Sequence, residues 1–131
     1  MSHRILFVED NDYHRLMVED FLESRGYKIR SLPDGRELFT AIRELQPNAI
    51  LLDLKLPDQD GYQLLEQIKD SQWKNIPIII ISAYAFQHEQ ERAFNLGACR
   101  YLTKPVRLEQ IVQTIIAEIG PPQCSQNSSS G

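Results

Sequence analysis

Three runs of apolar residues in this chain, Ile5-Leu6-Phe7-Val8, Ala49-Ile50-Leu51-Leu52 and Ile78-Ile79-Ile80-Ile81, are each followed at once by a polar group: Glu9-Asp10, Asp53 and Ser82. Successive side chains of a strand point to opposite faces, so a strand that is apolar at every position has no face to offer to water. It has to be covered on both sides. This points to parallel strands layered between helices and away from an antiparallel sheet with one wet face. Weaker strand-like runs at residues 27–31 and 100–103 complete the set, the second leading into Lys104-Pro105.

Helix-period stretches fill the intervals, as expected for successive βαβ units. Leu16, Val18, Phe21 and Leu22 give one apolar face that ends at Gly26, and Leu38, Ala41, Ile42 and Leu45 give a second that ends before Pro47. Asp34, with Glu37 three residues later, has the spacing of a capping box for that second helix. Leu64, Leu65 and Ile68 mark a third helix, Phe86 to Leu96 a fourth closed by Gly97, and Leu108, Ile111, Val112, Ile115 and Ile116 a fifth. The fold expected is α/β: a doubly wound, five-stranded parallel sheet with the three apolar strands at its centre, flavodoxin-like in winding if its order is 2-1-3-4-5. One domain over residues 1–120 and a disordered tail over 121–131 follow from the change to Pro, Gln, Asn, Ser and Gly after Gly120.

A chain of 131 residues can bury a core without staples. The formal net charge of -4, with scattered basic residues, argues against direct nucleic-acid binding, which needs clustered cations to displace phosphate counterions. No apolar stretch approaches the roughly 18 residues that cross a bilayer. The Met1-Ser2-His3-Arg4 start lacks a secretion-signal layout, so a cytoplasmic address and no membrane partner are expected. Cys99 reads as a small core residue and Cys124 lies in the polar tail, with no structural disulfide expected.

In the order 2-1-3-4-5 the switch point falls between strands one and three, where open α/β sheets bind their ligands at the strands' carboxyl ends. Glu9, Asp10 and Asp53 would meet there, and carboxylates so crowded require protons or a hard cation such as Mg²⁺. Each has a blander reading. The 9–12 acids suit a helix start, Asp53 can cap a turn, Ser82 can bond the backbone, and an isolated Lys104 can be a solvated loop lysine. A lysine before Pro105, at a bond open to the cis form, can instead have its stem fixed and its ammonium aimed inward. Tyr101 is ambiguous between core and surface. His3, His14 and His88 show no ligand spacing, and His14 reads as a surface residue of the first helix.

Taken together, Val8-Glu9-Asp10-Asn11, Asp53 with Leu56-Pro57 and Asp60-Gly61, Ser82-Ala83, and Tyr101 with Lys104-Pro105 resemble the receiver domain of two-component response regulators across nearly all of residues 4–119. The resemblance implies that Asp53 is the phosphoacceptor, that Asp10 and Asp53 bind Mg²⁺ directly, and that Glu9 does so through water. It implies the Lys55 carbonyl as a further metal ligand, Lys104 and Ser82 as partners of the phosphoryl oxygens, and Ser82 with Tyr101 as the switch pair. The implied donor is a histidine kinase or a histidine phosphotransfer protein, and the implied output is contact with a downstream protein target.

Three alternatives compete. A haloacid-dehalogenase-like phosphatase would need a second Asp two residues after the first, where Lys55 stands; a flavin-phosphate module would be repelled by Glu9, Asp10 and Asp12; a degenerate receiver would dock without chemistry, although every acid, Ser82 and Lys104 is present. Arg107-Leu108 stand where the family often caps the last helix, so that helix is expected to start uncapped. With no effector sequence after residue 120, output by protein contact is expected. The segments 11–14 and 82–86 also resemble receivers fused to hybrid kinases. Lys55 and Tyr84, each two residues beyond a site residue, are expected to flank the mouth of the pocket.

Overall fold

The computed structural model describes residues 3–57 and 59–122. Met1, Ser2, Asp58 and residues 123–131 of the tail expected over 121–131, Cys124 among them, lie outside the described residues. The elements follow the order β1 (Arg4–Val8), α1 (Asp12–Ser24), β2 (Lys28–Leu32), α2 (Leu38–Leu45), β3 (Ala49–Leu52), α3 (Gly61–Lys69), β4 (Ile78–Ser82), α4 (Gln87–Asn95), β5 (Arg100–Thr103) and α5 (Leu108–Ile119). All the strand-to-strand pairings are parallel and the strand order is β2-β1-β3-β4-β5, with the three apolar strands at the centre of the sheet.

Alternation along each central strand divides the interior into two layers. Leu6, Val8, Ile50, Leu52, Ile78 and Ile80 face α2 and α3, where they meet Leu38, Ile42, Leu64, Leu65 and Ile68. Ile5, Phe7, Leu51, Ile79 and Ile81 face the other way, onto Val18 and Leu22 of α1 and Ile111, Val112 and Ile115 of α5. Trp73 packs against the first layer, its ring 6.0 Å from that of Phe39.

Three local expectations are corrected. β2 begins at Lys28 rather than Tyr27, because the Tyr27 amide donates to the Leu22 carbonyl and closes the turn after α1, while Leu32 pairs with Val8. The expected capping box is not formed: Asp34 accepts instead from the Arg36 amide and guanidinium, and α2 starts at Leu38 after Glu37, which makes no side-chain cap. Leu16, expected on the buried face of α1, is 57% exposed. α5 follows Arg107 without a side-chain cap, as expected.

Candidate functional site

Strand register brings the polar residues together. Val8 pairs with Leu52, so Glu9 and Asp53 leave neighbouring strands side by side, and the Asp53 amide donates to the Val8 carbonyl at 3.1 Å. On the other flank Ser82 pairs with Thr103, and the Lys104 amide donates to the Ser82 carbonyl at 2.8 Å. The Lys104-Pro105 peptide bond is cis. After Asp53 the chain turns back on itself: Lys55 bridges Asp60, and the Gly61 amide donates to the Leu54 carbonyl. Asp60 then caps α3 through the Tyr62 amide. Gly61 is dictated by space, since a Cβ there would stand 2.4 Å from Leu54 Cα, closer than any side chain tolerates.

These segments enclose a cavity of about 370 Å³ lined by Glu9, Asp10, Asn11, Asp53, Lys55, Leu56, Pro57, Ala83 and Lys104. Asp53 is 2% exposed and Glu9 and Ser82 are fully buried, whereas Asp10 is exposed at the rim. Asp53 Oδ1 accepts the Lys55 amide and Oδ2 accepts the Lys104 ammonium, both at 3.0 Å. The same ammonium is 2.8 Å from Glu9 Oε1.

Burial pushes the Asp53 carboxyl above its ordinary range; the Lys55 amide and Lys104 offset only part of this, and the negative charge of Glu9 adds to it. For Glu9 burial acts in the same direction, but hydrogen bonds from Lys104, Asn11 and His14 outweigh it and hold the carboxyl below its ordinary range. Burial disfavours charge on Lys104 too, and the two carboxylates more than reverse that, so its ammonium is raised. Carboxylate oxygens of Glu9, Asp10 and Asp53 lie within 4.8 Å of one another. An all-oxygen donor set of this charge, opening onto a cavity, fits a hard divalent cation such as Mg²⁺.

A family model described as the response regulator receiver domain matches residues 5–116. The chain belongs to this family. The receiver is 30% identical over 121 residues to the polar-differentiation response regulator DivK of Brucella ovis, across 92% of this chain and 98% of that protein. A CheY-like receiver domain protein of Methanospirillum hungatei JF-1 superposes with a TM-score of 0.85 at 28% identity, covering 91% of this chain and 94% of the other. The receiver domain of a sensor histidine kinase from Pseudomonas aeruginosa PAO1, solved with a magnesium ion coordinated in its active site cleft, superposes with a TM-score of 0.82 at 30% identity, covering 92% and 99%. The chain is thus a signalling receiver of the phosphorylation type rather than a conventional enzyme. No helix among the described residues is long and apolar enough to cross a membrane.

Of the residues singled out from the receiver's sequence, Glu9, Asp10, Asp53, Lys55 and Lys104 line one cavity. Ser82 and Tyr101 lie beside it and converge on one residue: Ser82 Oγ accepts the Tyr84 amide at 3.0 Å, and the half-buried Tyr101 hydroxyl donates to the Tyr84 carbonyl at 2.8 Å. Tyr84 itself lines the adjoining hollow with Tyr62, Glu89 and Arg92 and is not among the residues lining the Asp53 cavity. His14 is the residue that sequence reasoning missed. Its Nδ1 is 3.1 Å from Glu9 Oε1 and its side chain is 23% exposed, so it is part of the site and not a plain surface residue. Asn11 accepts the His14 amide at 2.9 Å, and that helix start was the available signal: the first turn of α1 carries residue 14 back over the end of β1.

Proposed function

We propose that this receiver accepts a phosphoryl group on Asp53 from a phosphohistidine of a sensor kinase or phosphotransfer protein in the cytoplasm, and that phosphorylation alters the surface it offers to a downstream protein. One observation carries the reading: a buried aspartate faces a cavity with one of its oxygens on Lys104 and two further carboxylates within 4.8 Å. An Asp53 oxygen would attack phosphorus in line as the bond to the imidazole nitrogen breaks. The Lys55 amide and Lys104 orient the carboxylate for that attack, and Lys104 is within reach of a phosphoryl oxygen on Asp53. Asp10 and Asp53 would bind Mg²⁺ directly, with Glu9 acting through water and the Lys55 carbonyl as a further ligand. When bound, the ion would supply neutralisation of the charge on the equatorial oxygens.

Ser82 is proposed to give up the Tyr84 amide for a phosphoryl oxygen, which would free residue 84 and alter the Tyr101 anchor. The surface that changes would be the one formed by α4, β5 and α5, where Phe94 is 45% and Ile116 39% exposed. The test is to expose the unaltered chain and Asp53→Asn to beryllofluoride, with Mg²⁺ or with excess chelator, and follow amide NMR shifts. Perturbation of residues 82–104 is expected only in the unaltered chain with Mg²⁺. The same shifts in Asp53→Asn, or without metal, would defeat the assignment.

A further inference from the structure

Glu9 is fully buried, and an ionised carboxylate accepts hydrogen bonds but donates none. Oε2 is served by the Asn11 amide at 3.1 Å, and Oε1 by Lys104 Nζ at 2.8 Å and His14 Nδ1 at 3.1 Å. Lys104 is a shared partner, because the same ammonium is 3.0 Å from Asp53 Oδ2. Turning that ammonium toward a phosphoryl group on Asp53 would leave Glu9 with one backbone donor on Oε2 and His14 alone on Oε1. A single amide fixes one oxygen but leaves the carboxylate free to rotate about it.

We propose that His14 is the positioning residue of Glu9: its Nδ1–H donates to Oε1 and keeps the carboxylate in register while Lys104 is drawn to the phosphoryl group. This deepens the reading of Asp53 as phosphoacceptor and rests on it for its consequence, though the contact itself does not.

The start of α1 is built to hold the imidazole there. Asn11 caps the His14 amide, and the next residue, Arg15, donates from its guanidinium to the Glu9 carbonyl at 2.8 Å, so the turn bearing His14 is tied to the residue it serves. Tyr13, one position earlier, points outward at 75% exposure. The His14 ring also borders a largely apolar hollow with Met17, Lys104, Pro105 and Val106. Because the carboxylate can only accept, the contact requires the proton on Nδ1.

Imidazole ¹⁵N NMR of the full unphosphorylated chain, at a pH well above the ordinary histidine range, tests this directly. The expected result is the Nδ1–H tautomer for His14; the Nε2–H tautomer overturns the proposal. Calorimetric titration of the full chain with Mg²⁺ in excess beryllofluoride, a phosphoryl mimic that draws Lys104 toward Asp53, measures the consequence. His14→Ala is expected to weaken binding about 10-fold, the scale of losing a hydrogen-bonded support of a ligand. His14→Gln, which keeps an N–H donor, is expected to recover most of that affinity. Equal affinity in His14→Ala and the unaltered chain overturns the proposal. Asp10→Asn separates the two ideas: undiminished Mg²⁺ affinity in that variant defeats the metal reading, while the tautomer still decides what His14 does.

Discussion

Asp53 and Glu9 are buried a few ångströms apart yet shift in opposite directions, which makes their titration a test of the site at the scale of single residues. An aspartate ordinarily loses its proton below a glutamate. In the metal-free protein the order should invert, with Asp53 titrating above Glu9, and carboxyl ¹³C shifts against pH would show it; the ordinary order would mean that Lys104 serves Asp53 more than Glu9. The consequences for stability differ in sign. Asp53 holds its proton more tightly folded than unfolded, so stability falls as pH rises from the ordinary aspartate value through the raised one. Glu9 holds its proton less tightly when folded, so its contribution is present above the ordinary glutamate value and is lost as pH falls through the lowered one. Asp53→Asn should therefore leave the melting temperature at neutral pH unchanged or higher, and a marked drop would contradict the electrostatic account. These acids were legible because each ends an apolar run. His14 was not, because its link to Glu9 arises from how α1 leaves β1 and leaves no ligand spacing in the sequence.

Among the elements, α4 is the least securely seated. Its one fully buried residue is Ala93, and it is held to the body by side chains. Tyr62 of α3 donates its hydroxyl to Glu89 Oε2 at 2.8 Å, Arg92 lies 4.0 Å above the Tyr62 ring, and Phe94 lies against Tyr101. Tyr62→Ala should raise amide hydrogen exchange over residues 90–97 about 10-fold or more while leaving β1 and β3 protected. Unchanged exchange in α4 would show that Ala93 and the backbone suffice. Gly61→Ala should cost about 1–3 kcal/mol in denaturant unfolding, since the methyl meets Leu54 backbone and not a side chain that could move aside. Four of the five strands were readable: β1, β3 and β4 carry the three unbroken apolar runs, and β5 covers the weaker run at 100–103. β2 and α2 were misread at their starts, because a turn claimed the Tyr27 amide and Arg36 claimed Asp34, two local bonds with no periodicity to announce them.

At the scale of the whole molecule, a sheet covered on both faces leaves the carboxyl edge of its strands as the place where polar groups from β1, β3, β4 and β5 can converge. The central place of β1, β3 and β4 could be expected from the apolar pattern and their order from the receiver resemblance, and the register that sets Val8 beside Leu52 then fixed the spacing of Glu9 and Asp53. The orientation of Tyr101 and the seat of α4 depend on tertiary contacts, which sequence pattern does not encode. Cutting Ile80→Ala, in the layer beneath α3, should destabilise by about 2–5 kcal/mol without altering the site's residues, and equilibrium unfolding would measure it. The central claim is that Asp53 receives the phosphoryl group. Phosphotransfer from a phosphohistidine donor in Mg²⁺, followed by borohydride reduction and peptide mass spectrometry, reads the acceptor directly. The account predicts homoserine at position 53, lost in Asp53→Asn and suppressed by chelation. Homoserine at another position, or transfer that persists in Asp53→Asn, would contradict it.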